Sequence, residues 1–136
     1  MNKPTPINIL ILEDQEDEAS LYAKMATDGG FTCAYRTTST AALNYARENA
    51  IDILILDVNL REEVSGIDLI PRFKEINPVI IIIIVTHMIE EELAVAAIQK
   101  GAYDFLLKPL HPVIFKHRLK CAAEKYQLMH QTDQPA

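Results

Sequence analysis

Several residue types are scarce in this sequence, and each scarcity removes a class of protein. Its 136 residues include no tryptophan, four glycines and two cysteines. Cys33 and Cys121 lie far apart, without metal-type spacing and without a histidine beside either, which argues against a disulfide scaffold, a zinc site or a cysteine nucleophile. We expect both cysteines to be reduced and structural. So little glycine, with seven prolines, also excludes a low-complexity chain.

Positive charge is scarce as well. Lysine and arginine total 13 against 19 acidic residues, for a formal net charge of -6. Proteins that bind nucleic acid need a surplus of basic side chains on one face, so we expect no direct nucleic-acid binding. The longest apolar run, Val79 to Val85, is far shorter than the ~20 residues that span a bilayer. Because the N-terminus also lacks a secretory pattern, we expect a cytoplasmic protein without a membrane segment.

Five short apolar runs alternate with segments of helical spacing. The chain length fits one domain, and the alternation predicts an α/β fold in which a parallel sheet carries helices on both faces. We predict an N-terminal tail at 1–6, one domain over 7–130 that ends in a long helix, and a polar tail at 131–136. The predicted strands are Ile7–Leu12, Phe31–Tyr35, Ile51–Leu60, Val79–Val85 and Tyr103–Leu107.

Local signals set the predicted helix ends. Ser39 or Thr40 is a suitable N-cap for the second helix, and Gly101 is suited to end the fourth. Lys100 is assigned to the edge of the buried stripe of that helix. Pro71 falls inside the third helix, and we predict a helix start near Gly66 or Ile67, which leaves it close to the first turn, where its cost is small.

Charged and hydroxyl side chains stand at the ends of four predicted strands: Glu13 and Asp14, then Asp57, Thr86 and Lys108. Parallel strands bring their carboxyl ends to one edge of a sheet, which is where such folds bind ligands. Three neighbouring carboxylates repel one another unless a cation joins them, and Mg²⁺ prefers oxygen ligands. Asp57 as a turn residue, and the acidic pair as a helix cap, remain the simpler alternatives.

This set of residues suits phosphoryl transfer. A carboxylate such as Asp57 can attack a phosphoryl group and form an aspartyl phosphate. The reaction needs positioning and positive charge on the transferred oxygens, which Lys108 and a metal ion would supply. The Thr86 hydroxyl can donate a hydrogen bond to a phosphoryl oxygen.

The chain resembles the receiver domains of two-component response regulators. The resemblance runs from Ile7 to about Gln127 and includes the acidic pair, Asp57, Thr86, Phe105 and the Lys108-Pro109 pair in order and spacing. It implies a flavodoxin-like, doubly wound parallel sheet of strand order 2-1-3-4-5 with five helices on its two faces.

The resemblance also implies roles. Asp57 accepts phosphate from a phosphohistidine on a sensor histidine kinase or a histidine phosphotransfer protein. Asp14 and Asp57 ligate Mg²⁺ with the backbone carbonyl of Asn59, and Glu13 acts mostly through water. Such a domain is not an enzyme in the usual sense, although it assists its own phosphorylation and dephosphorylation.

The implied switch involves Thr86 and Phe105. On phosphorylation Thr86 moves toward the phosphoryl group, and the ring of Phe105 turns into the space behind it. The surface of the fourth helix, fifth strand and fifth helix then changes, so a downstream effector protein, a fused output domain or a second copy of the chain can read it. Phe105 is also compatible with an ordinary core position.

Three positions depart from the family pattern. Arg61 replaces a common proline, Gly66 lies one residue later than usual, and His87 replaces a small residue beside Thr86. We expect Arg61 and His87 to modulate phosphorylation, and we do not expect His87 to bind the metal, because Mg²⁺ prefers oxygen.

Three other functions compete with the receiver hypothesis. A haloacid-dehalogenase-type phosphotransferase needs an acid where this chain has Asn59. A flavodoxin needs a phosphate-binding loop where this chain has Glu13 and Asp14. A receiver-like scaffold that docks without phosphate is disfavoured by the complete set of site residues.

Overall fold

The computed structural model describes residues 7–60, 65–88 and 90–132. Over these residues, strands and helices alternate along the chain, as the sequence predicts. No helix in this part of the chain is long and apolar enough to cross a membrane. The elements are β1 (Asn8–Leu12), α1 (Glu16–Asp28), β2 (Thr32–Arg36), α2 (Ser39–Glu48), β3 (Ile53–Asp57), α3 (Gly66–Ile76), β4 (Ile81–Thr86), α4 (Glu91–Lys100), β5 (Asp104–Leu107) and α5 (Pro112–Thr132).

All five strands form one parallel sheet of order β2-β1-β3-β4-β5. The predicted flavodoxin-like fold is therefore confirmed. Every residue of β3 and β4 is buried, as expected for strands covered by helices on both faces. Since all strands point the same way, their carboxyl ends lie at one edge.

The sheet separates two hydrophobic cores. In β1 and β3 the leucines face α2, α3 and α4, where Phe73 is at the centre of the packing. The isoleucines of the same strands face α1 and α5, where Phe115 is equally buried. This separation follows from the strand geometry, because successive side chains point to opposite faces.

Three local predictions concern α2 and α4. Gly101 ends α4 with a φ of 114°, as predicted. The N-cap of α2 is Thr38 rather than Ser39 or Thr40, and its side chain accepts a hydrogen bond from the Ala41 amide. Lys100 is exposed and pairs with Asp68, so its assignment to a buried stripe was wrong. Placing the charged end of this long side chain in water costs less free energy than burying it in the core.

The third helix begins at Gly66, as predicted, so Pro71 lies in its second turn, close to the first, and the helix continues through it to Ile76. The side chain of Pro71 is exposed, and the lost hydrogen bond is therefore on the solvent side. The predicted tail at 1–6 lies outside the described residues, as do residues 133–136 of the C-terminal tail.

Gly66 permits α3 to begin directly against the end of β3. A Cβ at this position would lie 2.5 Å from the Asp57 carbonyl oxygen and 2.6 Å from the Val58 Cα. Both contacts are with backbone, which cannot move aside as a side chain can. The glycine therefore fixes how closely α3 approaches the segment that carries Asp57.

We predict that Gly66→Ala lowers the free energy of unfolding by about 1–3 kcal/mol, because the added methyl group overpacks a backbone contact. Urea unfolding followed by circular dichroism measures this change. Ser20→Ala, at an exposed position within α1, is the control and should leave stability nearly unchanged. Equal stability of the two variants would contradict the assigned packing role.

Candidate functional site

The four strand ends bring the predicted residues into one site. Glu13 and Asp14 directly follow β1, Asp57 ends β3, Thr86 ends β4 and Lys108 directly follows β5. Ligand oxygens of Glu13, Asp14 and Asp57 lie within 4.8 Å of one another. The parallel register of β1, β3 and β4 produces this arrangement.

Lys108 is the central cation of the site. Its ammonium group donates to Glu13 Oε1 at 2.6 Å, to Glu18 Oε2 at 3.1 Å and to Asp57 Oδ2 at 3.2 Å. A lysine ammonium has three donors, and here each has a carboxylate partner. The Lys108 side chain is only 4% exposed, so these contacts replace water.

Glu18 was not among the predicted site residues. It lies in the first turn of α1 and reaches Lys108 from that helix. No spacing in the sequence identifies it, because the contact depends on how α1 packs against the sheet. The strand-end argument missed Glu18 because it considers only residues that end or follow a strand.

Burial strongly affects the ionisation of the site. It raises the pKa of Glu13 to about 9, and the neighbouring Asp57 and Glu18 carboxyl groups add to the shift. Burial alone would lower the pKa of Lys108, but its hydrogen bonds to Glu13 and Glu18 and the charge of Asp57 raise it overall. The site thus favours a charged lysine and has an excess of carboxylate.

The excess of carboxylate fits a divalent cation. Glu13 Oε2 is buried and has no hydrogen-bond partner among the described residues. A buried oxygen without a hydrogen-bond donor lowers the stability of the fold unless a cation or another donor binds it. Mg²⁺ is typically held by one or two carboxylates with further oxygens and water, and the oxygens of Glu13, Asp14 and Asp57 can supply the carboxylates.

A chain of hydrogen bonds connects Asp57 to Thr86. The Asn59 amide N–H donates to Asp57 Oδ1 at 2.9 Å, and the Asn59 side-chain amide donates to the Thr86 hydroxyl at 3.2 Å. The Thr86 hydroxyl in turn donates to the Met88 carbonyl at 3.1 Å. In this conformation the Thr86 hydroxyl therefore donates its hydrogen bond to Met88 and not toward Asp57. The Asn59 carbonyl as a metal ligand stays a prediction.

A cavity of about 230 Å³ gives access to the acidic cluster. His87 is exposed and contributes to its wall, so the imidazole lies at the approach to Asp57, as its position after Thr86 predicts. Arg61, the other expected modulator, lies outside the described residues. The cavity is lined by Asp14, Gln15, Glu18, Asp57, Asn59, His87 and Lys108.

Phe105 lies away from this cavity, on β5. It is half-buried and packs against the core cluster that contains Phe73. Phe105 is also among the residues that line an apolar cavity of about 340 Å³ beside β5 and α5. Phe105 is thus a core aromatic with open space beside it.

Both cysteines are free, as predicted, and Cys121 Sγ lies 3.6 Å from His117 Nε2. The two residues are four apart on α5, and helix geometry brings such side chains together although they are distant in the sequence. Burial raises the pKa of Cys33 to about 12, which agrees with a structural role for that thiol.

Comparisons with known proteins agree with the geometry. The family model described as the response regulator receiver domain matches residues 9–120. An NtrX-like response regulator of Rickettsia bellii is 33% identical over 123 residues, which are 90% of this chain and 26% of that protein. The chain spans about a quarter of the length of the curated relatives it matches.

Two solved structures are similar in fold and sequence. The signal receiver domain of a LuxO repressor protein from Vibrio parahaemolyticus has a TM-score of 0.88 at 26% identity, with 96% of this chain and 100% of that chain covered. The beryllofluoride-activated NtrC4 receiver domain dimer has a TM-score of 0.82 at 29% identity, with 88% and 98% covered.

We predict that Lys108→Met, measured in metal-free buffer, lowers the free energy of unfolding by on the order of 3 kcal/mol, because buried carboxylates lose their cation. Urea unfolding at neutral pH measures the loss. Lys100→Met is the matched control: its partner Asp68 is 61% exposed, and an exposed ion pair is worth less than about 1 kcal/mol. Equal effects at the two lysines would contradict the central role of Lys108.

Proposed function

The chain belongs to the response regulator receiver domain family, and on that premise we propose that Asp57 is its phosphoacceptor. The donor is a phosphohistidine of a sensor histidine kinase or a histidine phosphotransfer protein. The observation that carries the proposal is the position of Asp57, which ends β3 beside an open cavity with Lys108 Nζ at 3.2 Å and two further acidic residues adjoining.

The transfer is a single displacement at phosphorus. A carboxylate oxygen of Asp57 forms a bond to phosphorus while the bond from phosphorus to the histidine nitrogen breaks. The imidazole keeps the electron pair of the broken bond and takes up a proton from solvent. Lys108 stabilises the negative oxygens of the transferred group, which is the main catalytic requirement of phosphoryl transfer. The domain assists this reaction and the later hydrolysis without being a turnover enzyme.

Glu13, Asp14 and Asp57 are the residues that would hold Mg²⁺. Asp14 and Asp57 would bind it directly with the Asn59 backbone carbonyl, and Glu13 mostly through water. The bound ion supplies positive charge to the phosphoryl oxygens. The orphaned oxygen of Glu13 and the surplus of carboxylates support this assignment.

Thr86 and Phe105 are the proposed switch. Phosphorylation adds about -1.5 to -2 charges at Asp57, and only a state that binds this charge better gains population. Thr86 reaches the phosphoryl group by giving up its bond to the Met88 carbonyl. Phe105 is only half-buried, and a change of its ring position is the second part of the proposed switch.

The proposed output surface consists of α4, β5 and α5. It carries exposed apolar side chains, which suit contact with another protein. A downstream effector protein, a fused output domain within a longer chain, or a second copy would bind there, with residues 7–130 acting as the receiver unit. His87 and Arg61 are proposed modulators of the phosphorylation rate. The exposed apolar residues of this surface include Val95, Ile98, Tyr103, Leu107, Val113 and Ile114.

We predict that a small phosphodonor with Mg²⁺ adds one phosphoryl group to the protein, detected by intact mass. Asp57→Asn should show no addition, because the amide is a poor nucleophile. The Asp52→Asn variant is the control, since Asp52 is also buried but accepts a hydrogen bond from the Asn8 amide at the start of β1. It should be phosphorylated like the original chain. Absence of mass gain with both the donor and a cognate kinase would contradict the proposal.

We also predict that Asp14→Ala greatly weakens Mg²⁺ binding, because it removes a charged oxygen ligand. Isothermal titration of Mg²⁺ into the metal-free protein measures the dissociation constant. Asp17→Ala, at an exposed position in the first turn of α1, controls for the change in net charge. Equal affinities in the two variants would count against Asp14 as a ligand.

A further inference from the structure

Glu18 is the one partner of Lys108 that the preceding functional account leaves without a role. Its Oε2 accepts a hydrogen bond from Lys108 Nζ at 3.1 Å, and its side chain also lines the cavity that leads to Asp57. It differs from the other two carboxylate partners in exposure. The Glu18 side chain is 39% exposed, against 1% for Glu13 and 3% for Asp57.

We propose that Glu18 is a positioning residue that holds the third N–H of Lys108 until a phosphoryl group on Asp57 takes its place. This inference rests on the proposed function of Asp57. Before phosphorylation, the three carboxylates use all three donors of the ammonium group. A phosphoryl oxygen can therefore be bound only when one of these hydrogen bonds is given up.

Esterification of Asp57 weakens its own hydrogen bond to Lys108. A second N–H for the phosphoryl group must then come from one of the two glutamates, and Glu18 is the cheaper of these to release. Its exposed carboxylate can exchange Lys108 for water, whereas the buried Glu13 carboxylate would lose its cation without gaining solvent. The backbone of Lys108 is held in place, because its N–H donates to the Thr86 carbonyl at 2.8 Å. A rotation of the lysine side chain is then sufficient to exchange Glu18 for the phosphoryl group.

The charge of Glu18 has opposite effects on the two ligands of the site. It competes with the phosphoryl group for Lys108 and repels incoming anions, and both effects oppose phosphorylation. It also adds negative potential near Glu13, Asp14 and Asp57, which favours a divalent cation. Removing the charge should therefore promote phosphorylation at saturating Mg²⁺ and weaken Mg²⁺ binding. If Glu18 had a purely structural role, its removal would weaken both phosphorylation and Mg²⁺ binding.

The test compares Glu18→Gln and Glu18→Ala with the original chain. Intact mass gives the concentration of a small phosphodonor at half-maximal phosphorylation, with Mg²⁺ saturating for each variant. Isothermal titration of the metal-free protein gives the Mg²⁺ dissociation constant. We expect the half-maximal donor concentration to fall about two- to fivefold. The Mg²⁺ dissociation constant should rise about two- to fivefold. Effects of this size are expected because the interaction of a partly exposed charge pair is weak.

Asp17→Asn is the matched control. Asp17 adjoins Glu18 on α1, is exposed, and does not line the cavity. It makes the same change in net charge, and both quantities should stay within about twofold of the original values because exposed charges are screened. An equal response to Asp17→Asn and Glu18→Gln would overturn the proposal.

Two further results would also overturn the proposal. One is that both Glu18 variants, shown to be folded by circular dichroism, are phosphorylated less readily than the original chain. The other is that neither measured quantity changes while the original chain accepts phosphate normally, a result that leaves the proposed function intact. Failure of the original chain to accept phosphate from a donor or a cognate kinase would instead refute the function of Asp57.

Discussion

The contact between the Lys108 ammonium group and the buried carboxylates is the interaction on which the site depends. It joins residues that are 51 and 95 positions apart in the sequence, so it exists only when β1, β3 and β5 are correctly assembled. Without this cation, Glu13 and Asp57 would repel each other in a region that water barely reaches. The same arrangement keeps several strong charges within a few ångströms while leaving one side open to a ligand.

The apolar sheet makes this concentration of charge possible. β3 and β4 are buried along their whole length and pack side by side, which provides a rigid base from which Asp57 and Thr86 project. Hydrophobic burial of this extent offsets the cost of desolvating the acidic residues at its edge. Stability is thus concentrated in the middle of the sheet, and chemistry at its carboxyl edge.

The sequence predicted the features that depend on strand direction. Long apolar runs identify buried strands, and parallel strands necessarily collect Glu13, Asp57 and Lys108 at one edge, so this part of the site could be inferred without coordinates. Glu18 could not, because its contact depends on how α1 is rotated against the sheet. The N-cap role of Thr38 and the exposure of Lys100 were missed for a related reason. A shift of one residue in helix register changes which side chain caps the helix and which side chain reaches water.

The separation of leucine and isoleucine in β1 and β3 makes the two layers of the molecule spectroscopically distinguishable. Leucine methyl groups of these strands face only the layer of α2, α3 and α4, whereas their isoleucine methyl groups face only α1 and α5. The assigned leucine methyl signals of β1 and β3 therefore report from one side of the sheet, and the assigned isoleucine methyl signals of the same two strands report from the other. A chemical event at Asp57 can then be followed separately toward the layer that contains α4 and toward the layer that contains Glu18.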